Sequence, residues 1–201
     1  MIATLLALLI VIALAVGIAV PLGLVLGSVP AVRHATRAVI EFLRPIPSVA
    51  LIPLAVVVLG IGPETKITLA VYAAVWPLLF NTIYALDELD PLLVETARVF
   101  GADRLRVLFF VALPSALPFV ITGVRLAATT GLVVLISVEL LVGGSGGIGE
   151  FIMVARSGAG RMDLVLAGTV VAGVIGYLLN EAFERAQRRW VGWSSVTGEA
   201  S

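Results

Sequence analysis

The sequence predicts an all-α, polytopic transmembrane helix bundle. It reads as one domain over residues 1–201, with about five spans and a short cytoplasmic helix between spans three and four. Three observations carry this. First, 60% of the 201 residues are hydrophobic and 13% charged, with a mean hydropathy of +1.14; a soluble domain runs at about 45–50% and 25%. A soluble chain of this size cannot hide so much apolar surface. Second, uncharged runs of about 20 residues, enough for a core of about 30 Å, recur along the chain. Third, these runs are continuous rather than alternating, which excludes a β-barrel. The composition also excludes a soluble enzyme, a disordered tail and a nucleic-acid binder. The formal net charge of zero decides nothing further.

The first span is Ile2–Leu26. Its apolar run is too long for a secretory signal and no basic segment precedes it. The second is Ile46–Pro63 and the third Ile67–Leu86. The apolar stretch Val107–Val138 is broken by Pro114, Pro118 and Arg125, so the fourth span is placed at Phe119–Val142. The fifth is Leu164–Asn180.

Basic residues divide unevenly between alternate loops. One set holds Arg33, Arg37, Arg44, Arg98, Arg104, Arg106, Arg185, Arg188 and Arg189. The other holds Lys66, Arg156 and Arg161. The richer set is expected in the cytoplasm. The C-terminus is then inside and Met1 outside, and a longer relative is expected to have one more span before this one.

The loop between spans three and four is the most informative stretch, residues 87–113. Asp90 can cap a helix and Pro91 suits its first turn. Gly101 suits the position just past the end, where positive φ is needed. Leu93, Ala97 and Phe100 share one face at i, i+4, i+7 spacing, and Glu95 can pair with Arg98 at i, i+3. Asp103 is expected to cap a second helix, Arg104–Ala112, ended by Leu113-Pro114. From the residues alone, the first helix could lie on lipid headgroups, pack under its own bundle, or dock in a partner's groove.

The spacing Glu95-Thr96-Ala97, three residues, Gly101, nine residues, Val111-Ala112-Leu113-Pro114 resembles the EAA loop of ABC importer permeases. That pattern is Glu-Ala-Ala, three residues, Gly, nine residues, Ile, one residue, Leu-Pro. Thr96 and Val111 are its two departures. The segments Glu41-Phe42-Leu43-Arg44-Pro45-Ile46-Pro47-Ser48-Val49-Ala50-Leu51-Ile52-Pro53, Leu59-Gly60-Ile61-Gly62-Pro63, Leu113-Pro114-Ser115-Ala116-Leu117-Pro118 and Thr122-Gly123-Val124-Arg125-Leu126-Ala127 are similar to those of the nitrate/sulfonate/taurine importer group. The resemblance runs from about Gly17 to Trp190.

The resemblance implies a permease subunit in the inner or plasma membrane of a prokaryote, moving a small anionic solute, sulfonate-, taurine- or nitrate-like, inward by alternating access. Two permease copies, as a homodimer, would form the pore. Two ATP-binding subunits would hold ATP and Mg and accept the loop helix. An extracytoplasmic solute-binding protein would deliver the solute. The coupling residues it implies are Leu93, Glu95, Thr96, Ala97, Arg98, Phe100, Gly101, Ala102, Leu113 and Pro114.

Other motifs fail in context. Gly143-Gly144-Ser145-Gly146-Gly147 fits G-x-S-x-G, but a nucleophile elbow needs a strand and a base; His34, the only histidine, is expected across the membrane. Gly144–Gly149 fits G-x-G-x-x-G without a βαβ unit. A flexible outer loop is the plainer reading. No phosphate-binding G-x-x-x-x-G-K-[ST] is present, so this chain is not expected to be an enzyme, and any ATP hydrolysis belongs to a separate subunit. With no cysteine and one histidine, no cysteine-based or multi-histidine metal site is expected, and no cofactor of its own.

Asn81, Ser137 and Glu139 are the candidate pathway or gate residues, because polar groups at such depth are costly. For Glu139 a structural hydrogen bond stands beside a gate role. Arg125 is read as an anchor snorkelling at the inner end of its span. Gly23 and Gly27 form a small-xxx-small step that could bring helices close or could simply face lipid. The rival readings are an osmolyte or methionine importer permease and, from another class, a secondary transporter or channel with coupling acids at mid-membrane.

Overall fold

The computed structural model describes residues 2–144, 146–158 and 160–190. Met1, Ser145 and the tail after Trp190, on which the outside N-terminus, the elbow motif and the inside C-terminus were read, lie outside the described residues. Every regular element among the described residues is helical. In order they are α1 (Ile2–Ser28), α2 (Pro30–Leu43), a 3₁₀ turn (Ser48–Leu51), α3 (Ile52–Leu59), α4 (Pro63–Asp87), α5 (Pro91–Val99), α6 (Arg104–Val107), a π turn (Leu108–Ala112), α7 (Leu113–Val142), α8 (Ile148–Gly158) and α9 (Met162–Trp190).

α1, α4 and α7 form the centre, with α8 and α9 packed on α7. Small residues let the three helices approach. Ala15 and Ala19 on α1, Ala70 and Ala74 on α4, and Ala127 and Ala128 on α7 are all buried. Gly23 belongs to the same seam: a Cβ there would lie 2.6 Å from the Thr82 Cβ. Gly27 likewise abuts Leu86. Of the two readings of the glycine step, close packing is the one realised, since lipid offers no such contact. The outward faces keep Leu9, Leu22, Val57, Leu166 and Val170 exposed, a surface that hydrocarbon can cover.

Among the described residues, four helices are long and apolar enough to span a membrane, and a bent pair brings the number up to five. The bent pair replaces the expected straight second span. Residues 31–43 and 48–59 meet at 75°. Arg44 still has helical backbone angles, but Pro45 and Pro47 lack backbone donors and Pro47 biases Ile46 away from helix. The Tyr72 hydroxyl donates to the Leu43 carbonyl at 2.6 Å. Tyr72 lies nine residues into the 25-residue α4, about 14 Å along it, so the break sits beside the helix middle. Arg44 therefore lies deeper than the loop in which charge counting places it.

The second loop helix does not end at Leu113-Pro114. α6, the π turn and α7 form one continuous helical run, Leu105–Val142. The Leu113 N–H bonds to the Leu108 carbonyl across the wider turn. Pro114 then enters as the second residue of α7, directly after the π turn. α8 occupies most of what reads in sequence as an outer loop. Its Gly149 lies against the backbone of α7 at Ile136 and Leu140, and Gly168 of α9 meets Ile152.

Candidate functional site

α5 is built as the sequence requires. The Asp90 carboxylate accepts from the Leu92 N–H at 2.8 Å, and Pro91 occupies the first turn. At the other end Gly101 has φ +81°. Its N–H bonds to the Arg98 carbonyl at 2.9 Å and the Ala102 N–H to the Ala97 carbonyl at 3.0 Å. Those two bonds are a complete Schellman motif. Ala102 thus has a defined job in closing the helix. Asp103 caps the next helix by accepting from the Arg106 N–H at 2.8 Å.

The faces of α5 divide differently from the simple heptad-like reading. Val94 and Ala97 are half-buried. Leu92, Leu93, Val99 and Phe100 are exposed, Phe100 at 86%, with Thr96 beside them. Ala97 therefore faces its own chain, while Leu93 and Phe100 belong to an open apolar strip. Glu95 and Arg98 line a cleft beneath α5 together with Ser28 and Leu105. The structure does not bring Glu95 and Arg98 into an ion pair; the ion pairs among the described residues lie elsewhere. Leu113 and Pro114 stand apart from α5, at the junction of the π turn and α7.

The loops rich in arginine gather at one end of the bundle. Arg33 on α2 holds Asp87 at the end of α4 through two bonds of 2.7 and 2.8 Å. α5 follows directly. At the same end α9 returns beside the start of α7: the Gln187 amide donates to Thr122 at 3.2 Å, and Arg125 donates to Asn180 at 2.6 Å and approaches Glu184 at 3.6 Å. Arg125 is thus an inter-helix fastener, not a free anchor.

Glu139 lies at the opposite end and is fully buried. The Lys66 ammonium donates to its Oε1 at 2.8 Å. The Thr4 hydroxyl lies 3.1 and 3.0 Å from its two oxygens, and the Gly149 N–H donates to Oε2 at 3.1 Å. Thr4 in turn accepts from the Ile148 N–H at 3.1 Å. One carboxylate thereby joins α1, α4, α7 and α8. A buried carboxylate with these partners is satisfied, and the geometry favours the holding role over the gate role. Ser137 donates back to the Val133 carbonyl at 2.8 Å. Asn81 donates to the Pro77 carbonyl at 2.8 Å and lines a groove of about 610 Å³.

Residues 19–190 match the family described as the binding-protein-dependent transport system inner membrane component. The chain belongs to that family of inner-membrane transport components. As a member of it, the chain is 34% identical over 168 residues to the taurine transport system permease protein TauC of Escherichia coli (strain K12), covering 84% of this chain and 60% of that protein. It is 32% identical over 151 residues to the bicarbonate transport system permease protein CmpB of Synechococcus elongatus, covering 75% of this chain and 54% of that one. The chain therefore spans somewhat over half the length of these relatives. An inward-facing structure of the MetNI methionine ABC transporter has a chain with the same fold, at a TM-score of 0.80 and 22% identity, covering 94% of this chain and 93% of its own.

Within this permease-family chain, sequence reasoning missed the partner of Glu139. Lys66 is the only lysine and sits one turn inside α4. Glu139 lies one turn before the end of α7. The expected topology puts both at the same level, a signal that residue spacing within one helix does not reveal. Arg44 was missed as well, because it was counted with its loop.

Proposed function

We propose that the chain is the membrane-spanning permease subunit of an ATP-driven ABC importer, carrying a small anionic solute inward by alternating access. The observation that carries this is α5: a short helix stopped at both ends by Asp90 and Gly101, presenting an open apolar strip of Leu93, Val99 and Phe100. A rigid capped helix transmits displacement, and an exposed apolar strip at the arginine-rich end needs a partner groove. The partner is an ATP-binding subunit in two copies, which holds ATP and Mg and performs hydrolysis. A second copy of this chain completes the pore, and an extracytoplasmic binding protein delivers the solute. The arginine-rich end and the C-terminus lie in the cytoplasm, in the plasma membrane of a prokaryote. The taurine and bicarbonate relatives support a small anion, with sulfonate, taurine or nitrate-like solutes as the first to try. The methionine likeness, at 22% identity, is one of fold.

The test is to isolate the tagged chain from native membranes in mild detergent and identify co-purifying proteins by mass spectrometry. An ATP-binding protein should appear in equal amount and be lost from the Leu93→Asp/Phe100→Asp variant. Recovery of the chain alone, or of only further copies of itself, would overturn the reading.

A further inference from the structure

A cation and a broken helix share the wall of one groove. The groove of about 610 Å³ is lined by Arg44, Ser48, Trp76, Asn81 and Thr130, among others. The backbone break at Pro45-Ile46-Pro47 forms part of its wall and lies beside the middle of α4. Non-helical backbone at that depth is tolerated only where protein buries it or it lines a watery cavity. Many secondary transporters place their solutes at interrupted helices near mid-membrane, and the same physics applies to any spanning bundle that carries such a break. An arginine on a spanning bundle likewise faces the interior or water, not lipid.

The charge pattern then selects the solute. The Arg44 guanidinium lies over the Phe80 ring at 4.3 Å, a contact that steadies it while leaving its five N–H donors open. Among the described residues it meets no carboxylate. Glu41, nearly one turn earlier, is held by Arg37 at 2.7 Å, and no carboxylate lines the groove. The Trp76 Nε1–H is shielded from solvent and lacks a hydrogen-bond partner. A cation without a counter-charge, a donor without an acceptor, and the hydroxyls and amide of Ser48, Thr130 and Asn81 make a wall that offers donors to an acceptor-rich guest. A planar guanidinium fork matches sulfonate, nitrate or bicarbonate oxygens.

We propose that this groove is an anion station on the solute's path, with Arg44 as its counter-charge. The proposal rests on the importer reading. It also explains how a pathway can discriminate by charge without a carboxylate or lysine at its centre.

The test uses the complex in nanodiscs, with Trp190→Phe and Trp193→Phe so that Trp76 is this chain's sole tryptophan; the same complex carrying Trp76→Phe as well supplies the background that is subtracted. Sodium methanesulfonate and sodium bicarbonate are titrated at ionic strength matched with sodium chloride, reading Trp76 emission. The expected result is a saturable change whose midpoint moves about tenfold or more in Arg44→Gln, with a smaller shift in Arg44→Lys. Should Arg44→Gln fail to insert, the Arg44→Lys shift decides: loss of the fork must weaken the response. No saturable response, or an unmoved midpoint in the variants, overturns the proposal. Discs of zwitterionic lipid and discs containing phosphatidylglycerol separate the source of the anion. A response abolished by phosphatidylglycerol would assign the groove to a lipid headgroup and also overturn it. Co-purification of the ATP-binding subunit, followed in the same samples, tests the importer reading separately.

Discussion

A carboxylate with no water contact must be paid in hydrogen bonds, and Glu139 is: Lys66, Thr4 and the Gly149 N–H all point at it. Removing one member of such a pair strands the other charge, which costs about 3–5 kcal/mol, whereas replacing both by apolar groups of similar volume is often neutral. Lys66→Met should therefore lower the thermal midpoint of the detergent-solubilised protein sharply, and Lys66→Met/Glu139→Met should recover most of the loss. A double variant no better than the single would deny that the pair acts as a unit. Glu139 was legible as a costly buried acid because any charge inside an apolar run stands out. Its partner was not, because pairing depends on which helices are neighbours, and apolar spans carry little information about that. The same holds for Arg125, whose partners Asn180 and Glu184 lie 55 and 59 positions away.

At the scale of elements, α5 was legible almost to the residue, because caps are local chemistry. Asp90→Ala should weaken α5 by about 1 kcal/mol, seen as faster hydrogen exchange of its amides with the central helices unchanged. Gly101→Pro removes the N–H that bonds to Arg98 and cannot adopt φ +81°. It should uncouple transport while membrane insertion stays intact, as should Glu95→Arg, which adds a cation to the cleft that Arg98 already lines. Normal uptake in both would contradict the assignment of α5. Two elements were misread for physical reasons. Pro114 reads as a stop in a regular α-helix, but the π turn over Leu108–Ala112 changes the hydrogen-bond register ahead of it. The stretch Ile46–Pro63 is apolar enough to cross as one rod, but Pro45 and Pro47 break the approach and leave only eight residues in α3.

The whole molecule is a lever set on a thin core. α1, α4 and α7 approach closely at alanines and glycines, and Leu8, Leu78 and Leu135 fill the space between them, so the three helices move as one packed unit. The two ends differ: one is locked by the buried Glu139 cluster, and the other carries α5 and the Arg33–Asp87 pair. Under the proposed function, ATP in a partner subunit drives displacement of α5 through its apolar strip. The most direct measurement is uptake of labelled taurine or bicarbonate by proteoliposomes holding the purified complex, with binding protein outside and ATP trapped inside. Uptake should require the trapped ATP and be lost in Phe100→Asp at equal amounts of inserted chain. Uptake that proceeds without ATP, or that Phe100→Asp leaves unchanged, would contradict it.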